Sequence, residues 1–116
     1  MLFRSNNRTV RIDGTVFAKE IDVVPNVWAD NVFKPQYKLK TLPEIETYIK
    51  LNGHLEDIPT ESQVKEKGIN IADMNATLLK KIEEITLLMI EQNKRIENLE
   101  KENNALKAKV AEISNK

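Results

Sequence analysis

The sequence predicts an α+β chain that is mainly α: a short N-terminal β-hairpin or shaft end, two short helices, and a long C-terminal parallel coiled coil with three strands favoured. Three observations predict it. Apolar residues recur at alternating spacings of three and four from Ile71 to Ile113, in a stretch with no glycine or proline after Asn70. Two helix-start signals in the middle of the chain are each closed by a glycine, Gly53 and Gly68. Near the N-terminus, β-branched runs flank the turn dipeptide Asp13-Gly14. The expected boundaries are residues 1–24 for the hairpin or shaft end, 25–69 for a small head, and 70–116 for the coil.

In the first segment, Thr9-Val10-Arg11-Ile12 and Thr15-Val16-Phe17-Ala18 flank Asp13-Gly14, which tolerates the positive φ angles of a tight hairpin turn. Glu20-Ile21-Asp22-Val23 then alternates polar with apolar, so one face is expected to be buried. A lone hairpin is marginal in water, so these strands need the following segment or copies from other chains. Leu2-Phe3-Arg4-Ser5 matches the in-frame translation of a common sequencing adapter. That predicts a natural protein extending further N-terminally. No secretory signal is legible in Met1–Ser5.

The head opens with a turn at Pro25-Asn26. Trp28, Val32 and Phe33 are spaced for one helical turn with an apolar side, ended by Lys34-Pro35 because the residue before proline is pushed out of helical angles. Tyr37 and Leu39 then alternate with Lys38 and Lys40 in an extended stretch. Thr41 is suited to cap the first helix, with Pro43 in its first turn, Ile45, Tyr48 and Ile49 on one face, and Gly53 in the left-handed position at its end. Thr60-Glu61-Ser62-Gln63 has capping-box form for the second, which Gly68 closes. Trp28, Phe33, Tyr37, Tyr48 and Ile58 read either as the head's small core or as a surface that meets a ligand.

Asn70 is placed to cap the last helix, with Asp73 near the positive end of its dipole. Heptad position a falls on Asn75, Ile82, Met89, Ile96, Asn103 and Val110, and d on Ile71, Leu78, Ile85, Gln92, Leu99, Leu106 and Ile113. Ten of these thirteen side chains are apolar. A seven-residue repeat held this long stays in register only by left-handed supercoiling, which makes a rod ~65 Å long. A single helix folded back on the head is the alternative. The roughly seventy residues before the coil cannot cover such a stripe, and a monomer rarely leaves one in water.

The flanks favour parallel chains in register: Arg95 at g faces Glu100 at e of the next chain, and Glu102 faces Lys107. Isoleucine at both a and d, as at Ile82, Ile85 and Ile96, favours more than two strands. The wide stripe of Leu79, Leu87, Leu88, Met89 and Ile90 points the same way, or packs on the head. Asn103 at a argues for two. Buried Gln92 and Asn103 would pair with their own copies as amide layers that set register. The expected interface is therefore Leu78, Ile82, Ile85, Met89, Gln92, Ile96, Leu99, Asn103, Leu106, Val110 and Ile113, and the expected partner is a second and third copy of the chain.

Composition excludes much chemistry. The 18 basic and 18 acidic residues cancel, and they cancel again on either side of Asn70, so no long-range field draws nucleic acid or an anionic membrane. No apolar run nears the ~20 residues of a membrane span. There is no cysteine, hence no disulfide, thiol catalysis or cysteine-bound zinc. His54 is the only histidine and reads as a loop residue bonded to the backbone, since metal binding needs more ligands than Glu56 and Asp57 supply. Ser5, Ser62 and Ser114 lack the surroundings of an activated nucleophile. The glycines Gly14, Gly53 and Gly68 are turn and cap residues, not a phosphate loop. A basic zipper would place lysines and arginines directly before the heptads, where Glu66-Lys67-Gly68-Ile69-Asn70 stands instead. No enzymatic activity, metal or cofactor is expected.

The order Ala18-Lys19-Glu20-Ile21-Asp22-Val23, Trp28-Ala29-Asp30, Val32-Phe33 and Tyr37-Lys38-Leu39 resembles the closing segment of bacterial tail-fibre-like and surface-exposed proteins. The likeness continues through Gly53-His54-Leu55, Ile58-Pro59, Gly68-Ile69, Met74-Asn75, Leu78–Glu84 and Ile90–Lys94, spanning roughly residues 15–100. The chain departs from that pattern at Glu56, where proline is usual, and at Thr60, where serine is. The resemblance implies a trimerising C-terminal module after a β-rich shaft, extracellular, on a cell surface or virion, with the upstream fibre segments as further partners. It brings no biochemical activity. The self-cleaving chaperone tails of phage fibres offer an analogy for trimer assembly, but their serine–lysine cleavage signature has no counterpart here.

Overall fold

A computed structural model describes residues 9–26, 28 and 30–115. Three helices follow in order, α1 (Leu42–Asn52), α2 (Glu61–Lys67) and α3 (Ile71–Ser114). The molecule measures 88 × 32 × 31 Å, a rod with its bulk gathered towards one end.

Each helix begins where its cap residue stands. The Thr41 hydroxyl accepts from the Glu44 amide, and Gly53 ends α1 at φ 75°, where a side chain would be strained. At α2 the capping box is closed in both directions: the Gln63 amide donates to the Thr60 hydroxyl at 3.2 Å and the Thr60 amide to the Gln63 side chain at 2.9 Å. The Asn70 side chain accepts from the Asp73 amide at 3.0 Å and starts the 44 residues of α3. At ~1.5 Å per residue, α3 alone supplies most of the molecule's length.

The expected N-terminal hairpin is not formed. Among the described residues there is no strand; Asp13 and Gly14 bend the chain, but no ladder joins the segments on either side. The first eight residues of the proposed 1–24 unit lie outside the described residues. The physical reason is the marginal stability of two short strands without a third layer. Val10, Ile12, Val16 and Ile21 are all more than half exposed, and Phe17 is 97% exposed. The helical turn expected around Trp28–Phe33 is likewise replaced by two successive hydrogen-bonded turns, Asn31–Lys34 and Lys34–Tyr37.

The head is a wrap around the first half of α3. Val32, Ala72 and Leu88 are its buried apolar residues, and Tyr37, Leu39, Ile45, Tyr48, Ile58 and Val64 are partly covered. Trp28 and Phe33 remain more than half exposed on either side of Val32, which is the deepest side chain in the structure.

Candidate oligomerisation interface

The residues of α3 divide by face. Leu79, Lys80, Lys81, Glu83, Glu84, Leu87 and Leu88 are covered to some degree by the head, and in heptad terms they occupy b, c, e, f and g. The apolar residues at a and d are all left open, from 45% for Leu78 to 71% for Ile113. Ile82, Ile85, Met89, Ile96, Leu99, Leu106 and Val110 lie between these values, on one continuous stripe. Gln92 is partly covered and Asn103 is exposed on the same stripe. Beyond Gln92 every described residue of α3 is exposed.

Polar contacts hold the head to the opposite faces. Asp57 lies 3.4 Å from the Lys80 ammonium and 3.8 Å from that of Lys81, and Lys81 reaches Glu84 at 3.6 Å. Asp57 takes a positive φ of 67° in the turn closed by the Ile58 amide donating to the Leu55 carbonyl, a conformation that aspartate tolerates better than most residues. Lys40 pairs with Glu56, whose carboxylate holds the ammonium above its ordinary pKa, and sits 5.7 Å from the centre of the Tyr48 ring. The His54 ring meets Tyr48 edge-on, and its Nδ1–H donates to the Leu55 carbonyl at 2.8 Å.

Tyr37 and Glu84 are neighbours where the head meets α3. Burial first, and then the charge and hydrogen bond of Glu84, push the Tyr37 pKa from 10.0 up to about 12. A raised pKa means the folded chain holds the proton more tightly than the unfolded one. The stabilisation is therefore complete below pH 10 and disappears as pH rises through about 12. The head is expected to weaken across that window, and Tyr37→Phe is expected to flatten the loss, as followed by urea unfolding at a series of pH values.

Along the open stripe the charges are exposed. Arg95 bonds Glu91 one turn earlier on its own helix at 3.0 Å, the same guanidinium that would meet Glu100 of a parallel neighbour. Among the described residues no group of three or more histidine, aspartate or glutamate side chains could hold a metal ion, and no helix is long and apolar enough to cross a membrane. No protein-family model, curated protein or solved structure matches the chain.

Sequence reasoning did not find the grip of Tyr37 on Glu84 or of Asp57 on Lys80 and Lys81. No periodic pattern marks a contact between a loop and the flank of a helix. Leu87 and Leu88 were legible as excess apolar residues beside the seam, with two places to go, and the structure puts them against the head.

Proposed function

We propose that the chain is a non-enzymatic assembly module whose α3 helices zip together in parallel as a three-stranded coiled coil and so align the segments that precede them. The observation that carries this is the division of α3: the partly covered residues before Gln92 fall on b, c, e, f and g, while every apolar a and d residue is exposed. Had the helix simply folded back on its own head, that stripe would be the face the head covers. Burying an apolar side chain is worth about 1.5–3 kcal/mol, so the open stripe is a large source of association energy. The exposed segment 9–24 adds a reason for assembly, since its large apolar residues remain 46–97% exposed.

Sedimentation equilibrium of the full chain tests the reading. A mass three times that of the chain at micromolar concentration is expected; a well-folded monomer would end the proposal. Placement in a fibre-like protein on a cell surface or virion rests on the sequence resemblance alone. A second reading, an adhesive tip with the coil as stalk, is favoured by one observation: Trp28 and Phe33 stand out together at 53% and 59% exposure. Retention of target binding by a monomeric variant would support it.

A further inference from the structure

A groove of about 140 Å³ runs between α1 and α3, walled by Leu42, Ile45, Tyr48 and Ile49 on one side and by Ile85 and Leu88 on the other. Ile85 is both a lining residue of this groove and a d residue of the seam, so the groove opens onto the seam. Leu42, Ile49 and Ile85 remain 42–51% exposed there. The residues of α3 that line it, Lys81, Glu84, Ile85 and Leu88, are g, c, d and g of the heptad. On a wheel advancing ~100° per residue they centre on g.

Resting on the parallel three-stranded reading, we infer that α1 of one protomer lies in the cleft between its own α3 and that of the next protomer, and that the neighbour's Thr86 and Ile90 complete the groove. In a three-stranded parallel coil the neighbour across the g flank stands ~60° around the helix from α1. Where α1 meets α3 at Ile85 and Leu88, a neighbouring helix at a packing distance of ~10 Å comes within side-chain reach of both. In a two-stranded coil the neighbour stands ~90° away, and the gap widens to roughly 14 Å, beyond side-chain contact. The groove is thus filled in one assembly and not in the other.

The neighbour turns its e and b positions towards that cleft, and Ile90 is the residue there that calls for cover. A b position normally sits on a solvated flank, yet this one is isoleucine, 47% exposed and left open by its own head. In register, Ile90 of the neighbour lies only ~3 Å further along the axis than Leu88 at the end of the groove. Thr86, at e and exposed, lies one turn earlier on the same flank.

The chain has no cysteine, so single introduced thiols report without background. Full-length Ile49→Cys and Ile90→Cys chains, differently tagged, are mixed, reassembled and oxidised. A disulfide-linked pair containing both tags is expected, with little linkage in either variant alone. Leu42→Cys with Ile90→Cys tests the other end of α1, so that one pair or the other reports whichever way α1 runs along the groove, and sedimentation of the same samples reports assembly independently. A trimer in which neither pair links overturns the inference and leaves the coil standing. A dimer, or linkage of Ile49→Cys to Phe17→Cys in place of Ile90→Cys, also overturns it. An unmixed parent chain that sediments as monomer removes the reading beneath it.

Discussion

A chain carrying Ile85→Asp and Ile96→Asp is expected to sediment as a monomer at concentrations where the parent is assembled. Both residues sit on the open stripe, 51% and 52% exposed; Ile96 stands clear of the head, whereas Ile85 also lines the groove beside α1, so Trp28 emission is followed to show that the head stays folded. In a three-stranded coil each would put three carboxylates into one layer. Lost burial alone amounts to about 2 kcal/mol per side chain. Two sites on three chains make roughly 12 kcal/mol, about nine decades in the association constant at about 1.4 kcal/mol per decade. Desolvation and like-charge repulsion add to this. The same variant is expected to lose helicity beyond Gln92, because an isolated helical arm without tertiary packing is marginal in water. Circular dichroism at matched concentration follows that loss. Unchanged mass would exclude the a/d stripe as the interface.

Leu88→Ala should do the reverse. Leu88 is three residues from Ile85 but is 7% exposed, beneath the head at position g. Truncating a buried leucine costs about 2–5 kcal/mol, which is large against a head with so few buried residues. The head is therefore expected to loosen, with faster proteolysis between Val32 and Pro59 and a changed Trp28 emission. The a and d side chains are untouched, so association through the seam persists. A Leu88→Ala chain that is monomeric with an intact head would mean that the two faces of α3 had been assigned the wrong way round.

The long helix and its caps were legible because they depend on local chemistry. Asn70, Thr60 with Gln63, and Thr41 each satisfy amides a few residues away, and the period of the apolar residues in α3 needs no knowledge of the rest of the chain. The N-terminal hairpin was misread for a matching reason. Thr9–Ala18 has the turn dipeptide and the β-branched residues, but pairing also needs a covering layer, which a strand pattern does not report and one chain does not supply. Trp28 and Phe33 were natural choices for a core on size alone. Val32 holds the buried place within the turns that follow Asn31, and turn geometry leaves little trace in residue type. The attachment points of the head to α3 at Glu84, Lys80 and Lys81 read in sequence as ordinary solvated charges.

The head is confined to the stretch of α3 before Gln92, and this makes reach an adjustable property. Seven residues inserted after Gln92 would carry everything downstream ~10 Å further along the axis at the same azimuth, since a whole heptad restores the seam. Three or four would turn the distal stripe away from its partners instead. Spacing between the two ends can therefore change in steps of one repeat without disturbing how the head grips its helix.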